Sequence, residues 1–263
     1  MGKILAITNQ KGGVGKTTTS VNLAASLVAT KRRVLLVDLD PQGNATMGSG
    51  VNKHTLEWSG CDVLLGEAKT ADAIVATDQA GYDLLPANAD LTAAEVSLMS
   101  LAQSEKRLQM ALEPVIGQYD YILIDCPPSL NMLTVNALVA ANGVIIPMQC
   151  EYYALEGLTA LLDTIEQIRS TLNFDLVVEG LLRTMFDPRN NLANDVSLQL
   201  VEHFGDKVYR TLVPRNVRLA EAPSHGLPAL IYDKRSQGAL AYLALAGEMI
   251  RKEVGPRLAE AVI

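Results

Sequence analysis

Asn9-Gln10-Lys11-Gly12-Gly13-Val14-Gly15-Lys16-Thr17-Thr18 directly follows the apolar run Ile4-Leu5-Ala6-Ile7 and directly precedes a helical pattern that starts near Thr18. That context predicts strand, glycine loop, helix. Glycines let successive backbone N–H groups turn inward around an anion, and the helix N-terminus adds its partial positive charge. In such a loop Lys16 reaches the β- and γ-phosphates of a nucleotide, and the Thr17 hydroxyl binds Mg²⁺. The ordinary phosphate-loop pattern places a glycine at position 10, where this chain has Gln10. A second lysine, Lys11, stands just before the paired glycines. Two lysines in one tight turn call for an anion, so the loop predicts a nucleoside triphosphate site of an unusual kind.

The 263 residues suffice for one large α/β domain with a substantial core. Nearly half are hydrophobic and only 5% are aromatic, which suits a compact core of Val, Ile, Leu and Ala. Cys61, Cys126 and Cys150 are odd in number and irregular in spacing, so neither a disulfide framework nor a zinc site is indicated. A reducing, cytoplasmic setting is expected. With the first strand beginning at the start of the sequence no signal peptide is expected, and no apolar run is long enough to span a bilayer.

The net charge of −7 argues against nucleic acid, but its distribution qualifies that. Residues 1–179 carry 11 basic and 20 acidic side chains, residues 180–263 carry 11 and 9. Between Lys207 and Ala220 lie Lys207, Arg210, Arg215 and Arg218 with no acid among them. Such a patch can contact phosphates, or it can be an ordinary solvated face.

Downstream, Arg33-Val34-Leu35-Leu36-Val37-Asp38 reads as a buried parallel strand ending in Asp38-Leu39-Asp40-Pro41-Gln42-Gly43-Asn44. Carboxylates just past a strand end point into the crevice where open α/β sheets bind ligands. Tyr121-Ile122-Leu123-Ile124-Asp125 is a second such strand, of the type whose aspartate holds Mg²⁺ through a coordinated water. Pro127 and Pro128 stop it, and Ser129 is expected to cap the next helix, to about Asn142. Helical patterns are expected over about 60–77, 91–113, 154–172, 194–204 and 237–253, with strands near 82–86, 143–148, 176–185 and 208–213. Trp58 and His54 read as structural. The alternation predicts an α/β fold, a mostly parallel twisted sheet with helices on both faces. No linker divides it, so residues 1–263 are expected to form a single domain, with 255–263 a loose tail.

Four segments together resemble a known family. Lys11 to Thr18 is similar to the deviant Walker A motif, Asp38 to Asn44 to its A′ companion, and Ile124-Asp125-Cys126-Pro127-Pro128 to Walker B. With Pro214-Arg215-Asn216-Val217-Arg218-Leu219-Ala220-Glu221-Ala222-Pro223-Ser224-His225-Gly226, they resemble the ParA/Soj family of DNA-partitioning ATPases from Gly2 to about Glu253. The resemblance implies a P-loop NTPase fold and a slow, Mg²⁺-dependent ATPase. ATP and Mg²⁺ would be bound by Lys11, Gly12, Gly13, Val14, Gly15, Lys16, Thr17 and Thr18, with Pro214 and Asn216 near the adenine. Thr17, Asp38 and Asp125 would serve the metal; Lys11, Lys16 and Asp40 would be catalytic, Asp40 by positioning or activating water. Lys11 matches the signature lysine that reaches into a partner subunit's site, and Gly12 would lie at that homodimer contact. Arg189, Arg215 and Arg218 would bind double-stranded DNA without sequence preference.

The implied partners are a second copy of the chain, DNA and a ParB-type stimulator, with no membrane, in a nucleoid-associated setting. Larger plasmid relatives carry an N-terminal helix-turn-helix, which is not expected ahead of a loop starting at residue 11. A MinD-like membrane ATPase is an alternative, but Arg251 to Ile263 has no aromatic residue and contains Gly255-Pro256, a poor lipid anchor. An electron-transfer ATPase resembling the nitrogenase iron protein would need differently placed cysteines. A ParA-like ATPase positioning some other cargo shares every motif.

Overall fold

The computed structural model describes residues 2–260. An eight-stranded sheet runs in the order β3-β4-β2-β5-β1-β6-β7-β8. Its strands are β1 (Lys3–Ile7), β2 (Val34–Asp38), β3 (Val75–Ala76), β4 (Asp83–Leu85), β5 (Tyr121–Asp125), β6 (Gly143–Gln149), β7 (Val177–Phe186) and β8 (Val208–Pro214). All neighbours pair parallel except β3, a two-residue antiparallel edge on β4. β1 lies between β5 and β6, so the loop that leaves it emerges at the middle of the sheet. The helices are α1 (Lys16–Ala29), α2 (Asn44–Gly48), α3 (Gly60–Leu65), α4 (Thr70–Ala73), α5 (Leu91–Leu98) and α6 (Arg107–Leu112). After them come α7 (Met132–Ala140), α8 (Ala154–Thr171), α9 (Asn191–Phe204), α10 (Val217–Glu221), α11 (Ala229–Tyr232) and α12 (Gln237–Glu260).

Strand alternation divides the core in two. Leu5 and Ile7 point to one face with Leu36 and Leu123, where α1 and α12 cover them through Leu23, Leu27, Tyr242, Leu245 and Met249. Ile4 and Ala6 point to the other with Val37 and Ile124, beneath Leu133, Leu138, Leu158, Leu161 and Ile165. β2 and β5 are buried along their whole length, which explains their unbroken apolar runs.

Several boundaries differ from the sequence expectation for identifiable reasons. The 60–77 pattern splits because Gly66 turns left-handed (φ 82°) and ends α3. The 91–113 pattern splits at Gln103 (φ 54°), and α6 restarts where Asn136 of α7 accepts from the Leu108 N–H at 3.0 Å and donates to the Ser104 carbonyl at 2.8 Å. The cap of α7 is Asn131, not Ser129: its Oδ1 accepts from the Thr134 N–H at 3.1 Å, while Ser129 offers only its carbonyl, to the Thr134 hydroxyl. Helix α12 continues past Gly255 and Pro256 to Glu260, beyond the expected stop at Glu253. Of the tail expected over 255–263, residues 261–263 lie outside the described residues.

Gly180 in β7 sits beneath the fully buried Tyr209 ring of β8, and a Cβ there would run into that ring. Gly180→Ala should therefore cost about 1–3 kcal/mol of stability, read as a lowered urea midpoint at unchanged slope. An unshifted midpoint would show that the ring can move aside.

Candidate functional site

The loop from Thr8 to Gly15 crosses the carboxyl end of β1, and its curvature depends on two left-handed glycines, Gly13 (φ 75°) and Gly15 (φ 88°). Gly15 also caps α1, which leaves the first N–H groups of that helix facing the loop's concave side. Asn9 pins the entrance by donating to the Pro147 carbonyl and accepting from the Lys11 N–H, at 2.8 and 2.9 Å. Thr184 pins the exit by donating to the Val14 carbonyl at 2.7 Å. A cavity of about 620 Å³ opens over the loop, lined by Gly12, Gly13, Gly15, Lys16, Thr17, Thr18 and Asp40 among others.

Lys16 is buried, its Nζ donating to the Lys11 carbonyl at 3.2 Å. Burial lowers its pKa against the raising pull of Asp125, Cys126 and Asp40. Beneath it lie the ends of β5 and β2, where Asp125 and Asp38 are register partners on neighbouring strands, both fully buried. Asp125 accepts from the Thr17 hydroxyl at 2.8 Å and the Ser20 hydroxyl at 2.7 Å. Asp38 accepts from the Thr46 N–H and hydroxyl, both at 2.8 Å, and from the Asp40 N–H at 3.1 Å. Burial raises both carboxyls, Asp38 to about 6 and Asp125 to about 8, and neighbouring carboxylates add to it. The expected residues Lys16, Thr17, Asp38, Asp40 and Asp125 thus converge on one crevice. Sequence reasoning missed Ser20 and Thr46. Ser20 was findable, since it follows Thr17 by three positions and so shares its helix face.

Lys11 points elsewhere. Its Nζ meets Glu151 at 2.5 Å in a half-exposed ion pair beyond β6. Gly12 has negative φ, and a Cβ built on it meets nothing within 4 Å. The monomer's own packing therefore gives no reason for a glycine at that position.

Pro214 and Asn216 line a second, smaller cavity of about 180 Å³ with Gly15, Thr18, Met185, Leu219 and Tyr242 among others. Asn216 also caps α10, accepting from the Arg218 N–H at 3.1 Å. The three arginines are exposed; Arg215 lies on the rim of the smaller cavity, and Arg189 and Arg218 stand outside both. Arg189 pairs with Asp187 at 2.7 Å, and Arg218 with Glu221 at 2.7 Å and Asp233 at 3.4 Å. Arg215 is near enough to Asp187 to help lower its pKa. Acids at 187, 221 and 233 thus hold two of these cations; Asp187 and Glu221 lie two and three positions from their arginines, and only Asp233 is distant in the chain. Among the described residues no group of three or more His, Cys, Asp or Glu side chains forms a metal cage, and the three cysteines are buried and unbonded.

A phosphate-type loop at mid-sheet, two strand-end aspartates beneath it and helices on both faces define the P-loop ATPase class of fold. An AAA-domain family model matches residues 2–178. The sporulation initiation inhibitor protein Soj of Bacillus subtilis is 56% identical over 95% of this chain and 98% of its own. Chromosome partitioning protein ParA of Caulobacter vibrioides is 52% identical over 95% of each. Among solved structures, a protein of Mycobacterium smegmatis described as cobyrinic acid a,c-diamide synthase, with bound ADP and magnesium, superposes with a TM-score of 0.84 at 41% identity over 95% of each chain. The chain belongs to the ParA/Soj family.

The raised carboxyls make ligand-free stability pH-dependent. A group whose folded pKa lies above its unfolded value stabilises at low pH, and that contribution is lost as pH rises through the folded pKa. Asp125→Asn, which cannot ionise, should match wild type near pH 5 and exceed its melting temperature by roughly 5 °C at pH 8. A difference that is constant with pH would contradict the buried-carboxyl reading.

Proposed function

We propose that this protein is a Mg²⁺-dependent ATPase whose nucleotide state switches it between a free monomer and a DNA-bound dimer, serving the partitioning of replicated DNA. The observation that carries the ATPase reading is the direct pairing of Thr17 with Asp125 beneath a loop that presents Lys16. These are the two groups expected to share a magnesium ion, already together at the helix end that would face the phosphates. The donor set suits Mg²⁺, which keeps several waters and takes one or two carboxylates plus phosphate oxygens rather than a full protein cage. Two adjacent buried carboxyls also favour a dication, which would relieve the repulsion that raises them.

Backbone N–H groups of the loop and of α1 hold the phosphates, and Lys16 places a cation at the β- and γ-oxygens. Thr17 and Asp125 would hold the metal, which when bound would neutralise developing charge on the transferring phosphoryl group. Asp38 supports that shell. Asp40, at the mouth of the crevice, positions the attacking water. Lys11 acts in trans: a second subunit closing over the loop brings its lysine to the γ-phosphate, as an arginine finger does. The open space around Gly12 supports this arrangement, because a close approach by another chain supplies the reason for a glycine there.

Closing the dimer doubles the arginines presented to DNA, which steepens affinity without any base contact. The ion pairs at Arg189 and Arg218 are exposed and worth little, so phosphates can replace the acids. A ParB-type partner would stimulate hydrolysis and release DNA, keeping the protein nucleoid-associated. Among the described residues no helix is long and apolar enough to cross a membrane.

DNA retention measured with ATP, ADP and no nucleotide tests the switch: strong retention is expected with ATP alone. Lys16→Ala should abolish both nucleotide binding and retention; normal ATP affinity in that variant would defeat the assignment. Anionic liposomes in parallel would favour the membrane alternative if they bound more tightly than DNA. Arg189→Ala combined with Arg218→Ala should flatten the salt dependence by about 0.9 log unit per lost phosphate contact. An unchanged slope would place the DNA contacts elsewhere.

A further inference from the structure

Three non-glycine residues have left-handed backbones among the described residues: Lys31, Gln103 and Met185. Lys31 follows the end of α1, and Gln103 precedes a short helical turn, where such conformations are ordinary. Met185 (φ 48°) lies inside β7. The strand is bulged there: it pairs with β6 as far as Gln149 opposite Thr184, but the three steps from Arg183 to Phe186 match only two on β8, Leu212 to Pro214. A bulge re-aims the side chain it carries, and its left-handed position ordinarily takes glycine. A methionine held in that conformation is strained, and such strain persists where the surroundings over-determine it.

Those surroundings are specific. The Gln149 amide donates to the Met185 Sδ at 3.0 Å. The Met185 Cε lies 4.0 Å from where a Cβ on Gly15 would sit, against the last glycine of the loop. The residue before it, Thr184, is the one that pins the Val14 carbonyl. Met185 also lines both cavities, and Gly15 and Thr18 are the other two residues that do so. A nucleotide with its phosphates over the loop and its base in the smaller cavity must pass its ribose across these three residues. Gly15 and Thr18 belong to the loop and to α1, so Met185 alone approaches from the opposite wall.

Building on the nucleotide reading above, we infer that Met185 is a nucleoside contact: its thioether packs on the ribose–base junction and sets the angle between the two subsites. The strained bulge exists to aim it there. Its task is to bind the nucleoside half of the ligand and leave the phosphate half to the loop.

The test compares equilibrium binding of Mg²⁺–ATP and of Mg²⁺–tripolyphosphate, which lacks a nucleoside. Met185→Gly suits the left-handed backbone and should melt no lower than wild type, yet bind ATP about tenfold more weakly with tripolyphosphate affinity unchanged. Met185→Leu restores an apolar side chain and should recover ATP binding to within about threefold of wild type. Equal losses for ATP and tripolyphosphate would overturn the inference by showing that the residue merely supports the loop. Unchanged ATP binding in both variants would overturn it too. Should Met185→Gly fold poorly, Met185→Ala with the same pair of ligands decides between these outcomes. Failure of the wild type to bind ATP would instead remove the nucleotide reading itself, and this inference with it.

Discussion

Two carboxyl groups buried side by side, Asp38 and Asp125, are the constraint to which the rest of the structure answers. Neighbouring strand ends place them together, and neither reaches bulk water. Such a pair is tolerated when hydrogen bonds satisfy it, and here each carboxyl is claimed by a different helix: Asp125 by Thr17 and Ser20 of α1, Asp38 by Thr46 of α2. The same bonds fix where α1 begins, and hence where the glycine loop ends. A buried carboxyl pair whose ionisation is held back by burial, set beside a lysine, is prepared for a dication and a polyanion together.

The loop shows how that preparation is divided. One part holds its shape: the left-handed Gly13 and Gly15, the Asn9 pin and the Thr184 pin keep the backbone curved around an anion that the chain itself does not supply. The other part faces outward. Lys11 leans on Glu151 through a half-exposed pair that contributes little stability, so it can be drawn elsewhere at small cost. Rigid where phosphates would rest and loosely held where a second subunit would touch, the loop combines binding with a contact that only assembly completes.

Much of the architecture was legible because parallel strands buried on both faces must be apolar throughout, as in Val34–Asp38 and Tyr121–Asp125, and because both end in aspartate. The long helices α1, α8 and α9 were legible from their periodicity. Boundaries failed where a distant residue decided them. Asn136 restarts α6 from another helix, and Asn131 outcompetes Ser129 for a cap because it sits where its oxygen meets the Thr134 amide. Near β8, Asp233, which helps to hold Arg218, likewise stands fifteen positions further along the chain.

By itself the sequence determined the family, the glycine loop and the lysine, threonine and aspartates of the crevice, since these follow from residue type at short, regular spacing; Ser20 and Thr46 were not among them. Only the tertiary structure decided which carboxyls are buried together, that Lys11 rests on Glu151, and that Met185 sits strained between two cavities. Burial, pairing and backbone strain depend on contacts between residues far apart in the chain, and local sequence carries no record of them. The loop could be read from ten residues, but its surroundings required the whole sheet.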